Sequence, residues 1–322
     1  MGLQPPDLIR GLTRGGAGRR EPNRASCASK PEPVSADAAP DGEPPLAPGL
    51  HLVSTPIGNL GDITLRALAA LRGADRIFCE DTRVTARLLA RYAIKKPLAP
   101  YHDHNAEAMR PAVLAALRRG ERVALVSDAG TPLVSDPGYK LVREAIAEAL
   151  PVTIEPGPSA ILAALVLSGL PTDAFLFAGF LPARPAARRQ RLAEWSGLAA
   201  TLVFFEATPR LGAALADMTD ILGDRPAAVA RELTKLHEEV RRGPLAELAA
   251  HYGAAPPPRG EAVIVVGPAM PAPPDWTAIG ERLREVLAKD GVRAAAARLA
   301  AETGLSRSEL YRRALAIRRG EE

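Results

Sequence analysis

Short apolar runs alternate with segments of helical periodicity from residue 50 to residue 167, and this alternation restricts the fold more than any other feature of the chain. It is typical of a mostly parallel sheet covered by helices on both faces. The predicted strands are 50–55, 76–79, 97–101, 122–126 and 152–155. The predicted helices are 64–71, 82–92, 107–119, 138–150 and 159–167.

A second α/β unit begins near Asp173. Its predicted strands are 175–180, 201–206, 227–231 and 261–266, and its predicted helices are 185–195, 209–222 and 245–251. The proline-rich stretch 268–274 is typical of a linker, and the segments 276–288 and 291–317 after it are predicted to be helical. The predicted fold class is therefore α/β, with domains at 49–157 and 158–268 and a helical module at 275–322.

The chain before residue 49 has a different composition. Residues 1–48 are rich in Gly, Pro, Ser, Ala and Arg without hydrophobic periodicity, which predicts a disordered extension or upstream sequence from a misplaced start. Cys27 and Cys79 lie in unlike contexts and indicate neither a disulfide nor a metal site, which favours the cytoplasm. No apolar run reaches the ~20 residues that span a bilayer. The net charge of +4 permits polyanion binding without requiring it.

Loops rich in Gly, Pro, Asp and Ser follow three predicted strands, at 54–62, 127–138 and 155–160. Loops at the carboxyl ends of parallel strands bind small ligands, although a turn that only caps the next helix has the same composition. Asp136-Pro137 fits that second interpretation, as an N-cap and first helical residue. None of these loops contains G-x-G-x-x-G or Gly-Lys-Ser/Thr, so neither an NAD site nor a Walker P-loop is expected.

The sequence Glu80-Asp81-Thr82-Arg83 places two acids and an arginine after the second predicted strand. Such a group can orient a hydroxyl or accept its proton. Alternatively, Asp81 or Thr82 only caps the following helix and Arg83 is solvated. Glu80 is not needed for a cap, which favours the functional interpretation.

Charged residues also follow the strands of the second unit, at 205–210 and 230–235. Four arginines without an acid among them come after Pro182, and they indicate phosphate binding beside a cleft or else a solvated helix face. The tail at 297–314 has the helix–Gly turn–helix pattern of helix-turn-helix motifs, or forms a stabilising helical cap. His102 and His104 have no third ligand nearby, so no metal is expected.

Six motifs then occur in a recognisable order: Ser-Thr-Pro-Ile-Gly-Asn-Leu (54–60), Glu-Asp-Thr-Arg (80–83), Ser-Asp-Ala-Gly-Thr-Pro (127–132), Pro-Gly-Pro-Ser-Ala (156–160), Gly-Phe-Leu-Pro (179–182) and Ala-Arg-Glu-Leu-Thr-Lys (230–235). Together they resemble the tetrapyrrole methylase superfamily, the class III S-adenosylmethionine methyltransferases, and within it the branch that acts on small-subunit ribosomal RNA. The resemblance covers about 50–267 and, more loosely, the tail. Ala-Gly-Thr-Pro in place of Gly-Asp-Pro shifts the expected substrate from a macrocycle to RNA.

The resemblance implies two α/β domains with S-adenosyl-L-methionine folded in the cleft between them, and 2′-O-methylation of a cytidine in the decoding centre of 16S rRNA. The partner would be small-subunit rRNA or the assembled small ribosomal subunit, with no membrane, and the enzyme would be a homodimer. The implied cofactor-binding residues are Ile57, Asp128, Ala129, Gly130, Thr131, Val134, Ser159, Ala160, Glu206, Ala207 and Leu233.

A ribose hydroxyl is a poor nucleophile, so the expected site must position it and remove its proton. We expect Glu80 to be the base and Asp81 and Arg83 to fix the ribose or its phosphate, with Glu232 and Lys235 as second candidates. The arginines expected to contact RNA are Arg184, Arg188, Arg189, Arg191, Arg307, Arg312 and Arg313. The alternatives are a tetrapyrrole C-methyltransferase and a helix-turn-helix regulator whose α/β part senses a ligand.

Overall fold

The computed structural model describes residues 45–254, 256–269 and 274–320, which belong to one compact unit. The interpretation of residues 1–44 therefore lies outside the described residues. The first sheet contains the strands β1 (Gly49–Val53), β2 (Arg76–Cys79), β3 (Leu98–Pro100), β4 (Arg122–Val126) and β5 (Val152–Glu155). The helices that follow these strands are α1 (Leu65–Gly73), α2 (Thr82–Arg91), α3 (Ala106–Arg118), α4 (Tyr139–Ala147) and α5 (Ala160–Ser168).

All five strands of the first sheet are parallel, in the order β3-β2-β4-β1-β5. Alternate residues of β4 point to opposite faces, as the period of a strand requires. Val123 and Leu125 pack with α3 and α4, whereas Ala124 and Val126 pack with α1 and α2. Both faces are therefore covered, and the carboxyl ends of all five strands lie along one edge.

The second sheet is mixed rather than parallel. Its strands are β6 (Phe175–Phe180), β7 (Thr201–Ala207), β8 (Pro226–Arg231), β9 (Glu239–Pro244) and β10 (Glu261–Val266). They lie in the order β6-β7-β10-β8-β9, and β10 is antiparallel to both of its neighbours. Because β10 runs the other way, its first residue, Glu261, lies at the edge where β7 and β8 end.

Helices cover the second sheet as well. On one face lie α6 (Pro185–Ala193), α7 (Leu211–Leu222) and α8 (Leu245–Ala254). On the other face α5 contributes Ala164 and Leu165 to a core with Val203 and Val263, although α5 directly follows a strand of the first sheet. The chain therefore passes from the first sheet to the second at the turn before α5.

The tail is a three-helix module formed by α9 (Trp276–Leu287), α10 (Val292–Thr303) and α11 (Arg307–Arg319) around its own small apolar core. The sequence predicts helix at 291–317 with a helix–Gly turn–helix pattern at 297–314, and Gly304, with φ of +71°, ends α10 within that pattern. The Arg313 guanidinium lies 3.7 Å from the Trp276 ring centre and so joins α11 to α9. No helix in the described ranges is both long and apolar enough to cross a bilayer.

Candidate active site

Loops after β1, β4 and β5 converge at the carboxyl edge of the first sheet. Thr55 and Gly130 exchange two backbone hydrogen bonds, of 2.9 and 3.0 Å, and the Thr55 hydroxyl donates to the Ser127 carbonyl. Gly157 lies so close that a Cβ there would come 2.9 Å from the Ser54 Cβ. Segments distant in the chain thus form one wall at the edge where α/β sheets bind ligands.

The second sheet supplies the opposite wall through the segment after β8. The Asn59 amide donates to the Thr234 hydroxyl at 3.1 Å. A Cβ on Gly58 would lie 2.5 Å from Lys235 Cγ, so the loops are in direct contact. We define the cleft as the space between the loops at 54–59 and 127–138 and the segment 232–235.

Left-handed backbone conformations concentrate in these loops. Leu133 and Ser135 have φ of 72° and 67°, and Glu232 and Thr234 have φ of 48° and 63°. Each such conformation of a non-glycine residue costs of order 1–3 kcal/mol and persists only where surrounding contacts enforce it, most often at functional sites. Surrounding contacts therefore hold these loops in a backbone geometry that an unstrained turn would not adopt.

Glu80 occupies the carboxyl end of β2 beside the loop that follows β4. Its side chain is half-buried, and burial together with the charges of Asp128 and Asp103 raises the pKa of Glu80. Burial also raises the pKa of Asp128, whose Oδ1 accepts a hydrogen bond from the Asp81 amide at 2.9 Å. A carboxylate with a raised pKa in a cleft is a stronger base than an ordinary carboxylate and is a candidate general base.

Asp136 joins this acidic group and was missed as a site residue by the sequence analysis. Burial and the charges of Glu80 and Asp128 raise its pKa to about 6. Its interpretation as a helix N-cap is wrong, because α4 begins at Tyr139 with Gly138 as the N-cap residue. Asp136 instead lines a cavity of about 280 Å³ with Tyr101, Asp103 and Arg110 among its walls. Only its position within the loop 127–138 hinted at this role.

Asp81 caps helix α2, as one interpretation of the sequence predicts, and it also binds the side chain of Arg83. Asp81 caps α2 by accepting from the Arg83 amide at 2.8 Å, and it also binds the Arg83 guanidinium at 2.6 Å. These hydrogen bonds lower the pKa of Asp81 to about 2, so it stays ionised. The Arg83 side chain remains 85% exposed and can contact a second anion.

Glu232 and Lys235 bind each other and are poorly placed to act as bases. The Lys235 ammonium donates to Glu232 at 3.0 Å and to Glu261 at 2.9 Å. Burial alone would lower the pKa of Lys235 and raise the pKa of Glu232. The hydrogen bonds outweigh burial, so the pKa of Lys235 is raised and the pKa of Glu232 is lowered. A protonated lysine cannot accept a proton, and the lowered pKa makes Glu232 a weaker base than an ordinary glutamate. The pair instead fixes the segment after β8.

The predicted cofactor-binding residues lie around the cleft. Ile57, Ala160 and Leu233 line a cavity of about 40 Å³ together with Glu232 and Lys235. Ala129, Gly130, Thr131 and Val134 belong to the loop paired with Thr55, and Ser159 caps α5 beside Ala160. Val134 is exposed. Ala207 pairs with Glu261 in the sheet.

Glu206 differs from the other predicted cofactor-binding residues because its side chain is fully buried. Its Oε1 accepts hydrogen bonds from the Ala207 amide and the Arg210 guanidinium, both at 2.8 Å. Its carboxylate therefore holds the end of β7 in place.

The arginines expected to bind RNA are mostly engaged with acids. Arg188 is 4% exposed and pairs with Asp217, so its guanidinium is not available to a phosphate. Arg189 bridges Asp217 and Asp220 at 2.8 Å each. Arg191 pairs with Glu194, and Arg312 and Arg313 pair with Glu309. Arg184 and Arg307 make no ion pair with any described residue.

The part of the chain that the structure describes contains no group of three His, Cys, Asp or Glu able to hold a metal ion.

Comparison with known proteins gives two family models and close relatives. The model for "Tetrapyrrole (Corrin/Porphyrin) Methylases" matches residues 49–249, and that for "RsmI C-terminal HTH domain" matches residues 273–318. "Ribosomal RNA small subunit methyltransferase I" of Mesorhizobium japonicum is 52% identical over 85% of this chain and 94% of its own length. The protein of the same name from Erythrobacter litoralis is 53% identical over 85% and 97%.

Among solved structures, the fold is similar to that of a cobalamin biosynthetic enzyme, cobalt precorrin-4 methyltransferase CbiF. The TM-score is 0.52 at 18% identity, and the match covers 68% of this chain and 94% of that one. At this identity the likeness concerns the fold alone.

Proposed function

The chain belongs to the ribosomal RNA small subunit methyltransferase I family of the tetrapyrrole methylases, and we propose that it methylates the ribose 2′-hydroxyl of a cytidine in the decoding centre of 16S rRNA. The observation that carries the proposal is Glu80, a half-buried carboxylate of raised pKa at the carboxyl end of β2. The site of action would be the cytoplasm, where small subunits are assembled.

The methyl donor of this family is S-adenosylmethionine, which supplies an electrophilic methyl group on a cationic sulfonium. The residues present fit such a cation. Glu80, Asp128 and Asp136 give one side of the cleft a negative potential. Ile57, Thr131, Val134, Ala160 and Leu233 would hold the rest of the molecule.

Side chains of the protein would then position the ribose hydroxyl and remove its proton. Glu80 accepts the ribose proton, and its raised pKa makes it a stronger base than an ordinary glutamate. Arg83, held by Asp81, binds the adjacent phosphate and so fixes the ribose in line with the methyl group. Recognition of the 2′-hydroxyl by Glu80 would also discriminate RNA from DNA.

The test incubates the purified protein with labelled S-adenosylmethionine and small ribosomal subunits that lack the modification, and then maps the labelled nucleoside. We expect one 2′-O-methylcytidine. Glu80→Gln should lower kcat by about 10²–10⁴-fold, the usual contribution of a general base. Glu148→Gln, which alters a surface carboxylate paired with Arg118, serves as the matched control. No label in 16S rRNA would overturn the proposal.

A tetrapyrrole C-methyltransferase is the second candidate, supported by the match of residues 49–249 and by the shared fold. The helical tail that matches an RsmI module favours RNA. Methylation of a precursor macrocycle, with none of rRNA, would reverse this preference. Membership in an enzyme family argues against the ligand-sensing regulator.

The partners in our proposal include a second copy of the chain. Helix α5 has no charged residue and is apolar all round, a composition typical of a buried helix. Yet Leu162 and Val166, four residues apart on its outer face, are 52% and 72% exposed. The edge strands β5 and β6 also expose Ile154 and Phe175. A homodimer formed through α5 would cover Leu162 and Val166.

A further inference from the structure

Helix α2 carries a row of arginines on its solvent side. Arg83, Arg87 and Arg91 follow one another at intervals of four residues, so they share one face of the helix and are separated by about 6 Å of helix axis each. The opposite face packs into the core through Leu88 and Leu89. We call these three residues the α2 arginine stripe.

The charge of the stripe is largely unneutralised. Between Asp81 and Asp103 the sequence contains five cations and no acid. Arg83 pairs with Asp81, but Arg87 and Arg91 are exposed and form no ion pair with any described residue. Helix α1, which packs in the same core cluster, also has no acidic residue. A surface of this kind attracts a polyanion.

The position of the stripe connects it to the active site. Helix α2 begins directly after Glu80 and Asp81, so Arg83 lies at the cleft and Arg91 lies about 12 Å of helix axis away from it. An extended strand that followed α2 would therefore reach Glu80 at the end of the stripe. The arginines of α6 contrast with it, because Arg188 and Arg189 are neutralised by acids of α7.

We propose that the α2 arginine stripe binds successive phosphates of the substrate RNA next to the nucleotide that is methylated. The interval between the arginines suits consecutive phosphates of a single strand, and such contacts set the register of the strand without reading its sequence. This inference rests on the proposed function for the identity of the RNA, but not for the binding itself.

The experiment compares the full-length protein with the double variant Arg87→Gln/Arg91→Gln. The control is Arg119→Gln, which removes one charge at the end of α3, on the opposite face of the first sheet. Binding of a labelled single-stranded RNA oligonucleotide is measured from 50 to 300 mM salt, and methylation of unmodified small subunits is measured in parallel. Circular dichroism melts confirm that every variant is folded.

We expect the double variant to bind the oligonucleotide at least tenfold more weakly at low salt. The slope of log K against log salt should become less steep by about 1.4, because each of the two lost phosphate contacts contributes about 0.7. For methylation, KM should rise while kcat at saturating subunits changes little. The control should match the wild type in slope and KM.

Binding and slope equal to those of the wild type would refute the stripe, whatever the methylation assay shows. If the wild type binds RNA with the expected slope but methylates no rRNA, the proposed function is wrong, whereas the inference that the α2 arginine stripe binds RNA is supported. A double variant that loses kcat while keeping its affinity and slope would show that these arginines act on the active site and not on RNA, which also refutes the inference.

Discussion

At the scale of single residues, Glu80 and Asp136 share surroundings that penalise negative charge. Each is partly buried, and each feels the other acids of the cleft, including Asp128. A carboxylate in such a position binds protons more tightly than in water. The ionisation of Glu80 should therefore appear in the pH dependence of catalysis, and that of Asp136 in the pH dependence of stability.

For Glu80 the expected effect is kinetic. Because its pKa lies above the ordinary glutamate value, kcat/KM should fall as pH drops through that raised pKa. Asp128→Asn removes one of the charges that raise the pKa and keeps an oxygen to accept the Asp81 amide. The acid limb of the pH–rate profile should therefore move to lower pH in this variant. An unmoved limb would exclude Glu80 as the group that titrates.

For Asp136 the expected effect is on stability. Its folded pKa of about 6 exceeds the ordinary aspartate value, so the folded state holds the extra proton between about pH 4 and 6. The free energy of unfolding should therefore decrease as pH rises through this window. Asp136→Asn should remove that decrease and be more stable than wild type at pH 7 by about 1–2 kcal/mol, less than the full shift because water reaches the site.

Urea titrations at pH 4.5 and pH 7 measure this difference. Asp173→Asn is the control, because Asp173 is exposed. A variant with the same pH dependence as the wild type would show that Asp136 ionises normally.

At the scale of elements, the cleft depends on close contact between loops of the two sheets. Gly58→Ala would place a methyl group 2.5 Å from Lys235 Cγ and 2.8 Å from the Leu233 carbonyl. Because the Leu233 carbonyl belongs to the backbone and cannot rotate away, the loop at 54–59 and the segment 232–235 must separate. We expect this to lower the free energy of unfolding by about 1–3 kcal/mol. We expect KM for S-adenosylmethionine to rise at least tenfold. Gly197→Ala, with open space around its Cβ, should leave KM unchanged.

The sequence predicts elements with strong periodicity and misses those decided by distant contacts. All five strands of the first sheet were predictable because β4, for example, is a continuous apolar run between turn residues. Strand β9 was not predicted, since Glu239, Arg241 and Arg242 interrupt its apolar pattern and it becomes a strand by pairing with β8 at the sheet edge.

The candidate site shows the same limit. The loops at 127–138 and 80–83 were visible as dense turn and charge motifs at strand ends. The burial of Arg188 was not, because Asp217 lies 29 residues further along the chain and only folding brings the two together. Asp136 was missed for a similar reason, since its raised pKa depends on acids from other loops.

At the scale of the whole molecule, the exposed face of α5 predicts an assembly. Leu162→Gln/Val166→Gln replaces the two most exposed apolar side chains of that face. If a second copy covers them, wild type should sediment as a dimer and the double variant should shift toward monomer. Exposed Leu65→Gln, on α1, is the control. A wild type that sediments as a monomer at 10 μM would contradict the dimer.

The long-range contacts of the cleft have a consequence for protein synthesis if the proposed site is the active site. Thr55 bonds to Ser127 across 72 residues, and Asn59 bonds to Thr234 across 175. Contacts of such high sequence separation form late, because their closure entropy must be overcome first. A nascent or truncated chain that lacks β8 therefore has the loops of its first sheet but no opposite wall. If the cleft binds the methyl donor as proposed, such a fragment cannot enclose it, and we expect activity only after β8 and the segment 232–235 have been synthesised.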